Sequence, residues 1–408
     1  MHNNQNSGPF AFPDHVPAAL RWDNSLRTFA HELDDPFLAV SRLHDGPDMF
    51  YARDASQERP GWVVTRHALQ QEIFLDPAHF SSHGGSGLDK LLGSDFRLIP
   101  IDVDPPEQTA FRMIINPFFT PNEVAKMDEA VRATCHRLIA QFENKGGCEF
   151  IEDFAAPFPS YIFLSLIGLP VEEAEKFLAW EAQLLRGADF QKRAEAGIAV
   201  FQYLQGFLAE QRKKPTNALL SGFINAEIKG RPITDTEILG ILYTFYVGGL
   251  DTVYSTLGWI MRQLACDPGL QQRLRENLDL LPDAVEEFGR AFSVVSTQRR
   301  VVEDMEFHGV PLKANDLVLL PLFLSGRDPQ AWEKPHEIDL ARKPKSLWFA
   351  NGAHVCAGRF LARREIRIAL EEFLTRFKDI RIPDGQHYSF HTSPVYGVDR
   401  LPLEWTKA

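Results

Sequence analysis

Apolar residues recur at three- and four-residue spacing over most of the stretch from Glu123 to Phe292, as in helices that turn one face inward. The pattern predicts helices over residues 124–142, 171–186, 193–213 and 236–265, and a further one over 360–377. Thr234 and Glu237 stand at the spacing of a capping box at the start of the long helix, and Asp267-Pro268 should close it just after Cys266. Strand-like alternation is scarce. Residues 61–65 form one strand, and 305–311 with 316–321 read as a hairpin turning around Lys313–Asn315. The tail over 380–405 is broken by Pro and Gly and should hold short strands. The expected class is therefore mainly α (α+β), a helix-rich chain with small β-sheets. No repeat, linker or shift in composition divides it, so residues 1–408 are expected to form one domain, with 1–20 an irregular arm.

Composition narrows the function. Acidic residues outnumber basic ones 55 to 43, and the resulting charge of −12 offers no footprint for nucleic acid. Four cysteines are too few for a disulfide framework and fit a reducing, cytoplasmic setting. The longest apolar runs, 161–169 and 238–246, fall short of the ~20 residues of a membrane span. The polar start and the proline-broken residues 10–17 do not read as a secretory signal.

Four segments carry candidate chemistry. The first runs Phe349-Ala-Asn-Gly352-Ala-His354-Val-Cys356-Ala-Gly358-Arg359 and leads into the helix 360–377. A cysteine just before a helix meets free backbone N–H groups that favour a thiolate. Glycines on either side let backbone approach a flat ligand, and the combination suits an axial ligand to haem iron. Cys135, Cys148 and Cys266 lack such a setting and read as inert buried cysteines, and no pair of them has zinc spacing. The second segment is Glu287-Phe-Gly-Arg290, whose charges share a helix face; on a solvated surface such a pair would carry no meaning. The third, Val247-Gly248-Gly249-Leu250-Asp251-Thr252, puts two glycines inside a helix at a cost of about 1 kcal/mol each. That is either a tolerated kink or a close approach to a bulky ligand. The fourth is Asp104-Pro-Pro-Glu-Gln-Thr109-Ala-Phe-Arg112, with prolines suited to a first helical turn.

The pattern Phe349-x-x-Gly352-x-His354-x-Cys356-x-Gly358 resembles the haem-binding loop of the cytochrome P450 family. The resemblance implies that Cys356 ligates the iron of haem b, buried between the long central helix and the helix after the cysteine loop, with Phe349 and Gly358 against it. It further implies a buried structural pair Glu287–Arg290, a meander over 328–342, and an oxygen groove at Gly248 and Gly249. Asp251 and Thr252 would manage protons there, with Arg186 as an outer partner of Asp251. Arg112, Arg299 and His354 would bind haem propionates. Segments along the whole chain, among them His79-Phe-Ser-Ser82 and Leu401-Pro-Leu-Glu-Trp405, resemble the soluble bacterial class I type and its camphor 5-exo-hydroxylase group. That implies O2 as co-substrate and electrons from NADH through a flavoprotein reductase and a [2Fe–2S] ferredoxin. The implied docking face comprises Arg112, Lys343, Arg359 and Arg364, with Arg66 and Lys345 nearby. Thr109 replaces an arginine of that group. A monomer is expected.

Departures from that group bear on the substrate. Phe96 stands where camphor hydroxylase carries a ketone-binding tyrosine, and phenylalanine has no donor. The glycine-rich residues 81–94 are expected to form part of an access lid. Ile101, Thr244, Val247, Val295 and Val395 complete the expected pocket; Tyr246 and Thr297 are further substitutions near it. A small apolar terpenoid or norisoprenoid, ionone-like or bicyclic, is therefore the expected substrate. The rivals are a peroxide-driven peroxygenase on the same fold and a non-catalytic haem-thiolate sensor.

Overall fold

The structure is a computed structural model that describes residues 10–56, 59–84, 92, 96–187, 189–392 and 395–408. Most of the expected lid, residues 85–91, 93 and 94, lies outside the described residues.

The apolar pattern over 236–265 resolves into two helices, Asp235–Gly249 and Asp251–Cys266. The first begins with the expected reciprocal cap. Thr234 Oγ1 accepts from the Glu237 N–H at 3.3 Å, and the Thr234 N–H donates to Glu237 at 2.8 Å. Arg231 grips the same carboxylate, which with the cap holds Glu237 down to about 2. The helices part at Leu250 (φ −92°, ψ −67°), just past the two glycines. The second stops at Asp267, whose side chain caps the next helix, Pro268–Glu276, at Leu270.

Helices pack on both sides of this axis. Trp259, Phe288 and Phe373 belong to one apolar core, and Phe163, Phe177 and Tyr243 to another. A third core backs a six-stranded mixed sheet, in the order Arg21–Ser25, Met49–Ser56, Arg59–Val64, Leu317–Pro321, Ser296–Val301 and Phe80–Ser81. The tail forms the strands Phe377–Arg381, Ser389–His391, Gly397–Arg400 and Pro402–Lys407, and Pro402–Lys407 also pairs with Gly147–Glu149.

Three expectations are corrected. Residues 305–321 do not fold into a hairpin around Lys313–Asn315. Met305–Phe307 pairs with Val310–Leu312 through a turn at His308 and Gly309, both at positive φ, while Leu317–Pro321 pairs with Ser296–Val301 and Arg59–Val64. A two-residue turn with two positive φ values matches the twist of its strands. The helix over 124–142 is two, Pro121–Ala125 and Asp128–Ile139, divided by a turn at Lys126-Met127. Val124, Val131 and Leu138 are buried on both sides of that turn, so apolar spacing runs through it unbroken. Cys266 is exposed, not buried, because the helix it ends reaches the surface there.

Candidate functional site

The cysteine loop is fixed from several directions. The Cys356 N–H donates to Phe349 O at 2.9 Å. Arg112 donates to Val355 O at 2.8 Å, Arg359 to Cys356 O at 3.0 Å, and Gln108 to Ala353 O at 2.5 Å. Gly352 sits at φ +65° with its backbone against Phe74, where an added Cβ would lie 2.3 Å from the carbonyl oxygen. The guanidinium of Arg363 stacks 4.5 Å from the Phe349 ring centroid. Burial pushes the Cys356 thiol up; the Gly358 N–H and the Arg112, Arg359 and Arg363 charges oppose it. The Gly358 N–H and these positive charges would stabilise a bound thiolate, and metal coordination removes the thiol proton outright.

Across from the loop, the helix junction brings Gly248, Gly249, Asp251 and Thr252 together. A Cβ added at either glycine meets nothing within 4 Å, so open space faces the backbone there. Thr252 Oγ1 donates to Gly248 O at 2.9 Å. Asp251 is fully buried. Its Oδ1 accepts from Arg186 at 2.7 Å, while its Oδ2 has no hydrogen bond among the described residues. Arg186 also reaches Tyr254 Oη at 2.5 Å. Arg186 is thus the outer partner expected for Asp251.

Four further residues suit a bound dicarboxylate. Arg112 and Arg299 are buried yet form no ion pair among the described residues. Arg299 donates to Gln298 O and lies 5.2 Å from the Phe74 ring centroid. Burial pulls it down to about 10. His354 Nε2 and Thr297 Oγ1 are buried without partners among the described residues. Burial, and secondarily the Arg299 charge, lowers His354 to about 4. Buried cations without counter-ions and orphaned donors fit two propionates, since bidentate guanidinium–carboxylate pairing satisfies both sides.

The pocket candidates divide. Phe96 is 4% exposed and stands edge-on to Phe201 and Tyr243, with centroids 5.1 and 5.6 Å away. Val295 and Val395 meet through an isolated bridge. Thr244 is buried with Oγ1 unpartnered, Val247 is half-buried and Ile101 is 43% exposed. Tyr246 is fully buried and donates to Phe177 O at 2.8 Å.

The Glu287–Arg290 pair is fully buried. Arg290 grips Glu287 at 2.6 and 2.8 Å and also donates to the carbonyls of Gly326, Pro335 and Glu337. Arg342 and the Asp339 N–H complete the carboxylate, each at 3.0 Å. Arg342 was visible in the meander resemblance, but its bond to Glu287, 55 positions away, carried no local signal. Gln108 and Arg363 were missed for the same reason.

The basic residues need correction. Arg66 is buried against Asp48, Asp328 and the His44 carbonyl, so it presents no charge at the surface. Arg112 is covered too, with one guanidinium nitrogen on Val355 O. Lys343 and Lys345 are exposed; Arg359 is half-buried over the Phe360 ring, and Arg364 pairs with Asp128 at 2.5 Å.

The chain belongs to the cytochrome P450 family, whose model, described as "Cytochrome P450", matches residues 175–402. It is a haem-thiolate monooxygenase, with haem b as cofactor and O2 and a small molecule as reactants. It is 37% identical over 401 residues to a probable cytochrome P450 127A1 from Sinorhizobium fredii, covering 96% of each chain. It is 28% identical to a steroid C26-monooxygenase of Mycolicibacterium smegmatis, over 88% of this chain and 94% of that one. The crystal structures of CYP101J2 and CYP101C1 match 97% of this chain and all of theirs, with TM-scores of 0.86 and 0.88 at 31% and 29% identity. Among the described residues no helix is long and apolar enough to cross a membrane.

Proposed function

We propose that residues 1–408 form one catalytic domain that hydroxylates an apolar terpenoid or norisoprenoid of about camphor size or larger, using electrons from a [2Fe–2S] ferredoxin reduced by an NADH-dependent flavoprotein. The observation that carries the substrate class is Phe96, locked among aromatic rings and offering no donor. The resemblance of the sequence to the camphor 5-exo-hydroxylase group supports both the substrate class and the ferredoxin.

In this reading Cys356 is the thiolate ligand, and Arg112, Arg299 and His354 bind the propionates. Haem, when bound, supplies the iron at which O2 is reduced and split. The chain's own task is to deliver protons and exclude water. Asp251 Oδ2 is free to hold a proton, and Thr252 Oγ1 can release Gly248 O and donate toward the open space over Gly248 and Gly249. Exposed Lys343 and Lys345, with the half-buried Arg359, give the cysteine-loop side positive charge for an acidic ferredoxin.

Optical titration of ferric protein tests the substrate. Ionones should raise the high-spin fraction of the ferric protein more than camphor does; a stronger response to camphor would overturn the assignment. Phe96→Tyr should tighten camphor about 5- to 10-fold, since one new hydrogen bond is worth about 1 kcal/mol. Thr252→Ala should keep NADH consumption while lowering product per NADH roughly tenfold or more, as loss of a positioned proton donor does. Full coupling in that variant would remove the hydroxyl from the mechanism. Turnover with peroxide alone, but not with ferredoxin and NADH, would favour a peroxygenase.

A further inference from the structure

The acid–arginine cluster above the helix junction contains a second carboxylate, which the proton pair does not use. Glu181, on the helix Ala174–Arg186, is 1% exposed; among the described residues no side chain hydrogen-bonds its carboxylate, and the Asp251 backbone N–H is the one donor beside it. The titratable and charged groups acting on this site are Asp251, Arg186, Tyr246 and Tyr254. The phenols are otherwise engaged, Tyr246 with Phe177 O and Tyr254 with Arg186. That leaves two buried carboxyls and one cation. Arg186 bonds Asp251 at 2.7 Å, so Asp251 has the counter-ion. An ionised Glu181 would make the cluster a net buried anion with the Asp251 backbone N–H alone beside it, too little to offset the lost hydration.

We propose that Glu181 is held protonated beside Asp251 and is the reservoir from which Asp251 draws the proton it passes toward Thr252. The proposal rests on the reading that Asp251 and Thr252 deliver protons. The step balances. Glu181 gives its proton to the Asp251 carboxylate, the negative charge moves to Glu181, and Arg186 turns from one carboxylate to the other. Solvent then returns a proton to Glu181, reached past Arg186, whose side chain is 23% exposed. The cluster keeps the same net charge before and after the transfer, so no bare charge is buried. Glu181 acts through Asp251 and is thus a positioning and proton-holding residue. Burial first, then the Asp251 charge, pushes Glu181 well above the usual carboxyl range, with Arg186 opposing.

Glu181→Gln keeps shape and donor capacity but cannot ionise. Three readouts on the holoenzyme decide the matter. The infrared difference between wild type and variant near neutral pH should show one protonated-carboxyl C=O band, shifted in D2O and lost in the variant. Buried Glu365, which burial raises to about 8, contributes equally to both and cancels. Wild-type thermal stability should fall as pH rises above the ordinary carboxyl range, because the folded state holds a proton that the unfolded chain releases; the variant should flatten that slope. Turnover should drop about tenfold, with the alkaline limb of the pH profile displaced. Absence of the band, an unchanged stability slope or an unchanged turnover would each overturn the proposal. Should the glutamine variant not fold, Glu181→Asp replaces it, expected to shift the band and retain part of the rate; an unshifted band or an unchanged rate overturns the proposal. Asp251→Asn separates the two readings: if it alone slows turnover, only the reservoir fails; if it too leaves turnover intact, proton delivery by Asp251 fails as well.

Discussion

Cys356→Ser should abolish monooxygenase turnover while leaving a folded protein that still takes up haem. The serine is nearly isosteric, and the contacts that fix the loop run through backbone atoms: Cys356 N to Phe349 O, Arg112 to Val355 O and Arg359 to Cys356 O. They survive the change. What is lost is a group that the Gly358 N–H and three nearby guanidinium charges help to ionise. A serine hydroxyl keeps its proton under the same influences and cannot push electron density onto iron to favour O–O cleavage. Substitutions one step removed from a metal cost about 10- to 100-fold, and removing the ligand itself should exceed that. The ferrous–CO spectrum reports the ligand directly: the red-shifted band of thiolate coordination should vanish. Its persistence in the serine variant would show that another residue ligates the iron.

The cysteine loop was legible because its chemistry is local. Phe349, Gly352, His354, Cys356 and Gly358 fall within ten residues, and each answers a constraint of the same turn. The helix break was legible for a related reason, since Gly248-Gly249 is unfavourable in a helix unless something else requires it. The Arg186–Asp251 contact spans 65 positions and entered only through a family resemblance. Glu181 gave no signal at all, because a glutamate in an amphipathic helix reads as solvated until packing places it against Asp251. Arg66 failed in the opposite direction. Its sequence suits a surface charge, but Asp328, 262 positions away, draws it inward. The misread hairpin shows a third limit. Lys313–Asn315 makes an acceptable turn, but strand choice depends on which edge remains free, and Arg59–Val64 claims Leu317–Pro321 from the far side of the chain.

These contacts explain why the site is rigid on one side and adjustable on the other. On the cysteine side, guanidinium groups bind backbone carbonyls, which cannot move without moving the chain. On the helix-junction side, neither Asp251 Oδ2, the Glu181 carboxylate nor the Thr244 hydroxyl has a side-chain partner among the described residues. Groups with spare hydrogen-bonding capacity can exchange partners at small cost, which proton transfer requires and iron ligation does not.

Arg290→Leu should be the most destabilising single change away from the cysteine. Glu287 and Arg290 are inaccessible to solvent, and removing one partner leaves the other charge buried. Such a loss costs about 3–5 kcal/mol, a large share of the roughly 5–15 kcal/mol that holds a protein folded. Arg342 remains on Glu287, but it contributes one contact at 3.0 Å and cannot reproduce the two-pronged grip. The carbonyls of Gly326, Pro335 and Glu337 lose a donor at the same time. The damage also reaches the haem side. The helix Leu281–Ala291 lies against Trp348 so tightly that a Cβ on Gly289 would fall 2.3 Å from the indole, and Glu286 on the same helix pairs with Arg363, which stacks on Phe349. Loss of Arg290 should therefore lower Tm by roughly 3–6 °C and weaken haem retention together. The double variant Glu287→Leu/Arg290→Leu removes the stranded charge along with its partner and should be more stable than Arg290→Leu alone. Thermal unfolding of the three proteins, followed at the haem band and by circular dichroism, checks both claims. A single variant within about 1 kcal/mol of wild type would mean that Arg342 and the meander carbonyls, not the pair, hold this corner of the molecule.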